Sequence, residues 1–291
     1  MRRPPTPARR EPAKFLAGDA YDPVAGAGLV AWQRPNGVAL LRRDGGDSGL
    51  HGRHPALGGS TLAYLSGDEV VIADAASGEV RRRLPALGAQ VIGVSDVLLA
   101  WRAPDAAGLD VLWTRTLGNS PGEPQPLAQA PPGGELGRPD VVEGRVLFHV
   151  AGAGGSRLVI ADPADGTRRT LRSTPRAQLT NPSSDGRRLL HVHASGRQQE
   201  LRLGPLEPHA EDEVIAVHPS SGRRDREHER GRRRHRHRYR APLPPIAPRG
   251  ETQSLWSTAL APDGAYVTRL VAHAGQPRRA DILRVALPDR G

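Results

Sequence analysis

A short motif returns along this chain and narrows what it can fold into. Asn181-Pro182-Ser183-Ser184-Asp185-Gly186 leads into the apolar run Leu189-Leu190-His191-Val192, and Leu260-Ala261-Pro262-Asp263-Gly264 leads into Ala265-Tyr266-Val267. Gly accepts positive φ and Asp hydrogen-bonds its own backbone nearby, so each Asp-Gly closes a tight turn between antiparallel strands. Looser copies run from Asp22-Pro23-Val24 into Leu29-Val30-Ala31-Trp32, and from His54-Pro55-Ala56-Leu57 into Leu62-Ala63-Tyr64. Two more run from Val91-Ile92-Gly93-Val94 into Leu98-Leu99-Ala100-Trp101, and from Arg138-Pro139-Asp140-Val141 into Val146-Leu147-Phe148, making six. A longer match fixes the period, because Val71-Ile72-Ala73-Asp74-Ala75-Ala76-Ser77-Gly78 returns 88 positions later as Val159-Ile160-Ala161-Asp162-Pro163-Ala164-Asp165-Gly166. Two periods of about 44 residues fit four-stranded propeller blades. Each repeat is a small sheet with two apolar faces that only neighbouring copies cover. The expectation is therefore an all-β, six-bladed β-propeller of four-stranded antiparallel blades, with inner strands near Val24, Leu57, Ile92, Val141, Ser183 and Leu260.

Pro-Asp-Gly followed by an apolar strand resembles the WD40-like repeat of TolB-type β-propellers, and Asn181 to Val192 fits it with Ser184 in place of Pro. The resemblance implies a fold rather than an activity. It also implies that export is common among similar proteins. As written, the chain has no signal peptide: its basic N-terminus lacks an apolar h-region, so the expectation is cytoplasmic, or exported if the true start lies elsewhere.

Ring closure makes a further demand. The last repeat offers three strands, near residues 258–260, 266–271 and 281–286, which would leave an unpaired edge. Lys14-Phe15-Leu16-Ala17 is the apolar patch of the N-terminal arm and is expected to add the missing outer strand beside 281–286.

The 291 residues suit one large all-β unit, and 28 Pro with 34 Gly lie between apolar runs, as many short strands joined by turns require. With aromatics at 3%, the core must be Leu, Val and Ala, with Trp32, Tyr64, Trp101, Trp113 and Phe148 as its large pieces. The net charge of +10 is unevenly placed: residues 222–240 carry +7, residues 1–14 carry +4, and the rest carries −1. A near-neutral body with basic appendages is not the charged face that a nucleic-acid-binding fold presents. Residues 1–12 read as a disordered basic arm. Residues 13–291 read as the propeller, interrupted over 208–250 by a flexible Arg/Pro-rich insertion before the last blade, although Glu213-Val214-Ile215-Ala216-Val217 reads as the outer strand of the fifth blade.

Several patterns could carry chemistry. There is no Cys, which removes thiolate catalysis and Cys-ligated zinc. Gly46-Asp47-Ser48-Gly49 matches a serine-protease nucleophile segment, but no His precedes it, so it reads as a turn. There is no Gly-x-Ser-x-Gly elbow and no phosphate-binding loop. His191-Val192-His193 puts two imidazoles on one side of a strand, yet His191 occupies a slot held elsewhere by Trp or Tyr, so packing accounts for it without metal. His235-Arg236-His237 is a poorer metal candidate because guanidinium charges surround it. Asp74, Asp162, Asp185 and Asp263 recur at turns and read as turn-makers. Arg223, Arg224, Arg232, Arg233, Arg234, Arg236, Arg238 and Arg240 could contact a polyanion weakly and without sequence preference. No catalytic residue, cofactor or metal site is assigned.

The leading expectation is a monomeric, non-catalytic scaffold that binds a protein or peptide on a propeller face. Alternatives are a lyase or hydrolase with a site at the central channel, for which His193, Asp185 and Asp140 would have to meet around one cavity, and a polyanion-binding accessory protein. No membrane span is expected.

Overall fold

The computed structural model describes residues 14–18, 20–26, 28–35, 37–41, 50–196, 198–219, 241–242, 251–273 and 279–288. These form six antiparallel sheets in a ring, each entered on its innermost strand. Blade 1 is Tyr21–Gly26, Leu29–Arg34 and Gly37–Leu41; blade 2 is Arg53–Gly58, Thr61–Ser66, Glu69–Asp74 and Val80–Pro85. Blade 3 is Val91–Val94, Leu98–Pro104, Asp110–Thr116 and Gln125–Gln129. In blade 4 the inner strand comes in two pieces, Glu135–Leu136 and Asp140–Val142, both paired to Arg145–Gly152, with Gly155–Ala161 and Arg168–Thr174 outside it. Blade 5 is Gln178–Ser184, Arg188–Ser195, Gln198–Pro205 and Glu213–Pro219, with Ala241–Pro242 laid parallel on its outer edge. Blade 6 is Glu251–Ala261, Gly264–His273 and Arg279–Val285, closed by Lys14–Gly18.

The closing strand is the one the sequence offers. Lys14 pairs with Arg284, Phe15 with Leu283 and Gly18 with Asp281, antiparallel, so the two ends of the ring are joined in one sheet. The inner strands contain Val24, Leu57, Ile92, Val141, Ser183 and Leu260, as the repeat pattern requires. Blade 1 departs from the four-stranded expectation with three strands among the described residues; Val38 is bridged by Leu50 beyond the undescribed 42–49. The arm 1–12 and the Arg-rich run 220–240 lie outside the described residues, and Glu213–Pro219 forms the fifth blade's outer strand.

What joins the blades is apolar packing between neighbours. Each of six clusters draws on two adjacent sheets: Leu190 and Val192 of blade 5 pack with Leu260 and Val267 of blade 6, and Val30 and Trp32 of blade 1 pack with Ala259 and Tyr266 of blade 6. Burial of aliphatic side chains on both faces of every sheet stabilises the ring by about 1.5–3 kcal/mol per large side chain. Trp32, Tyr64, Trp101 and Phe148 are buried at one repeat position, with His191 and Thr268 as its occupants in blades 5 and 6; Trp113 is half-buried. Near the axis the strands touch backbone to backbone. A Cβ on Gly93 would stand 2.6 Å from the Pro139 carbonyl oxygen of the next blade, and one on Gly58 would overlap the Val94 carbonyl, so only glycine fits.

Candidate functional site

The six inner strands converge on an axial cavity of about 30 Å³, to which every blade contributes, among them Ala25, Leu57, Gly93, Asp140, Ser183 and Ala259. That holds one or two waters and no organic substrate. Polar side chains from several blades gather at one mouth of the channel.

A repeated backbone irregularity builds the mouth. Pairing of the inner strand with its neighbour slips between Tyr21 and Val24, between Arg53 and Ala56, between Thr180 and Ser183, and between Leu255 and Thr258. The extra residues form a β-bulge, which bends the strand and re-aims side chains. Asp22, His54 and Asn181 sit in these bulges at φ values of 53°, 50° and 52°, each directly before a proline. The left-handed region is unfavourable for non-glycine residues, and backbone strain of this kind clusters at functional sites. Arg138 occupies the same pre-proline place in blade 4, at the break in its inner strand. Because every blade is entered on its inner strand, these residues share one end of the channel.

There they meet across blades. His54 Nδ1 donates to Asp22 Oδ2 at 3.1 Å, and the His54 amide donates to Gln33 Oε1 at 2.8 Å. Arg138 Nη2 donates to the Pro55 carbonyl, and Nη1 stands 3.8 Å from Asp22 Oδ1. Asn181 Nδ2 donates to the Trp256 carbonyl, and Thr258 Oγ1 donates to that of Asn181. Burial pushes the Asp22 carboxyl up, but the His54 hydrogen bond, the Arg138 charge and the Ser257 hydroxyl outweigh it and hold Asp22 below the ordinary carboxylate range. The Trp256 residue is 56% exposed in the blade 6 bulge. Leu87, 79% exposed, lies on the connection into blade 3 at the same end.

Deeper in, side chains cap the unpaired inner edges. Asp140 Oδ2 accepts the Ser184 amide at 2.8 Å, and Ser183 Oγ accepts the Leu260 amide at 3.0 Å, which links blades 4, 5 and 6. Burial drives the Asp140 carboxyl up, and the Ser184 amide and Arg138 charge only partly offset it.

The trio expected for an enzyme does not assemble. Asp140 lines the channel, whereas Asp185 turns back on the Arg187 and Arg188 amides at the opposite end, and His193 sits on the second strand 3.9 Å from Glu200. Turn-making also accounts for Asp74, which accepts the Ala76 and Ser77 amides, and for Asp162, which accepts that of Ala164. His191 is a core residue: its Nε2 donates to Asp212 Oδ2 at 2.9 Å, and Arg172 grips the same carboxylate. Gly46 to Gly49, His235, His237 and the eight candidate arginines lie outside the described residues. The residues that do converge are the pre-proline ones, and their sequence signal is a polar, changing residue before a recurring Pro.

No protein-family model matches the chain, and no curated protein matches its sequence. Solved structures do resemble it. TolB from Acinetobacter baumannii aligns at TM-score 0.47 and 12% identity over 88% of this chain, which spans 59% of that protein. Putative TolB from Agrobacterium tumefaciens aligns at TM-score 0.50 and 12% identity, over 83% of this chain and 76% of that one. The fold is that of a TolB-like β-propeller. The β-propeller domain of the Trilobed protease from Pyrococcus furiosus, described as having an open velcro topology, aligns at TM-score 0.50 and 12% identity over 94% of this chain and 86% of that domain. At these identities the likeness is one of fold. Among the described residues no helix is long and apolar enough to cross a membrane.

Proposed function

We propose that this TolB-like propeller is a non-catalytic, monomeric scaffold that seats a protein or peptide segment on the channel mouth. The observation that carries the reading is the convergence of strained pre-proline residues from blades 1, 2 and 5, with Arg138 of blade 4, beside the exposed Trp256. Aromatic and Arg side chains are the usual anchors of protein interfaces, Trp256 is exposed there, and the cavity below is too small to enclose a substrate. Peptides selected from a display library against the full chain should lose binding at least tenfold to Trp256→Ala and to His54→Ala, with both variants still folded. Selected peptides that bind all three proteins equally would overturn this assignment.

One observation favours a second reading, that of a hydrolase or lyase. Asp22 orients His54 as a carboxylate orients a general base, with the Arg138 cation beside them. On that reading turnover of a panel of ester, amide and glycosidic substrates would appear and vanish in His54→Gln. Weak polyanion binding by the Arg-rich run is a separate property, resting on its sequence alone.

A further inference from the structure

Arg138 crosses the propeller axis. It leaves blade 4 at the break in the inner strand, and its guanidinium ends among residues of blades 2 and 1, at the Pro55 carbonyl and near Asp22. A guanidinium carries five N–H donors in a planar fork. Nη1 is buried and has no hydrogen-bond partner, since 3.8 Å to Asp22 is too long for one. Of the acceptors around it, Gln33 Oε1 takes the His54 amide, and Asp22 already accepts from His54 Nδ1 and Ser257. Asp22 keeps those two hydrogen bonds if the guanidinium swings away, although it loses one of the charges that hold its carboxyl ionised. The Arg138 side chain is 16% exposed, so part of it reaches solvent at the mouth.

We propose that Arg138 is a retractable bar across the channel and that the ligand's recognition group is a carboxylate, which takes the open side of the fork. A planar, bidentate match of this kind is specific to Arg with carboxylate or phosphate, and the recognition reading, on which this inference rests, supplies a polypeptide. The carboxylate is then a C-terminus or an Asp or Glu side chain.

The test uses one fluorescent peptide library in three matched forms: free C-terminal acid, C-terminal amide, and amide with every Asp and Glu replaced by Asn and Gln. Affinities are measured by polarisation on wild type, Arg138→Gln and Arg138→Lys, with thermal melts to establish folding. Binders on wild type should weaken at least tenfold when their carboxylate is removed, and the form at which the loss occurs identifies its source. Arg138→Gln should reduce that discrimination to within twofold. Arg138→Lys, which keeps the charge without the fork, should fall between them and guards against a misfolded Gln variant. Peptides that bind with acid and neutral forms within twofold, or a tenfold preference surviving in Arg138→Gln, would overturn the carboxylate assignment and leave the recognition reading standing. Failure of every form to bind would overturn both.

Discussion

Glycine and alanine should exchange their usual order of stability at position 54. The His54 backbone sits at φ 50°, in the left-handed region that costs an L-residue about 1–2 kcal/mol. It also precedes Pro55, which biases the backbone toward extended conformations. The bulge, the Gln33 acceptor on its amide and the Asp22 bond on its ring hold it there. His54→Ala removes the ring and its bond to Asp22 but keeps the strain, whereas His54→Gly removes both. Against that relief stands the larger unfolded-state entropy of glycine, about 0.5–1 kcal/mol. The balance makes the Gly variant about 0.5–1 kcal/mol more stable than the Ala variant. Ala63, buried in the neighbouring regular strand, is the control: Ala63→Gly should destabilise by at least the ordinary glycine penalty. At Asn181 the Gly variant should again be the more stable of the two, because the Ala–Gly gap is set by the backbone φ of 52° and not by the residue replaced. Urea unfolding monitored by tryptophan fluorescence resolves these differences. Equal stability of His54→Ala and His54→Gly would refute the view that strain is stored at the mouth. If the mouth is the binding site, neither variant binds the selected peptides, so stability and recognition separate in the Gly variant.

Three other outcomes follow from the charges. Because burial raises the Asp140 carboxyl, its contribution to stability is largest below the unfolded carboxylate value and is lost as pH rises; Asp140→Asn, which keeps an acceptor for the Ser184 amide, should raise the melting temperature at pH 7 and lose that advantage near pH 3.5. Asp212 is held at about 2, its burial outweighed by His191 and Arg172, so its stabilisation is present above about pH 4 and lost as pH falls through 2. That is worth about 1–2 kcal/mol after allowance for solvent screening, and Asp212→Ala, which strands Arg172, should cost about 3–5 kcal/mol by chemical denaturation at pH 7. Excising residues 221–240 should leave the melting temperature and the selected peptides' affinity unchanged while abolishing retention on heparin; loss of peptide binding would move recognition from the propeller face to the Arg-rich run.

The blades were legible because each repeat states its own needs. Asp185-Gly186 closes its hairpin wherever it is placed, and Leu62 or Val146 must be covered whatever covers it. The closing strand was legible by elimination, since one apolar patch lay within reach of an edge that had to be paired. The mouth was not legible, for a physical reason: a bulge is a slip in pairing between two strands, and neither strand records it alone. Asp22, His54, Arg138 and Asn181 look like ordinary residues before Pro until the slips bring them to one end of the axis. Composition could not reveal Arg138's path either, because the reach that takes it to Pro55 crosses 83 positions of sequence. His193, Asp185 and Asp140 do not meet because Asp185 closes the hairpin at one end of blade 5, whereas His193, paired with Leu179, stands at the other.

Closure and the mouth are physically one problem, which gives a last prediction. The closing strand Lys14–Gly18 pairs with Arg279–Val285, the Ala20 amide donates to the Ala280 carbonyl at 3.2 Å, and Asp22 follows two residues later. Ala20 also packs in the cluster that joins blades 1 and 6, beside Trp32, Tyr266 and Ile282. Removing residues 1–18 therefore strips the outer edge of blade 6 and frees the chain just ahead of the carboxylate that holds His54. A net contribution of about 0.5–1.5 kcal/mol per lost backbone hydrogen bond puts the cost at about 2–4 kcal/mol, enough to lower the melting temperature by several degrees, whereas deleting residues 1–11 leaves every described strand intact. Hydrogen exchange distinguishes a general loss from a local one. Amides of Ala20 to Val24 and of His54 should lose protection in the shorter chain well before those of the blade 3 and blade 4 strands, because strain at the mouth is held by the ring and is released where the ring opens. Equal melting temperatures for the two deletions would show that the closing strand is dispensable, and uniform loss of protection across all six blades would show that its removal loosens the whole ring and not the mouth in particular.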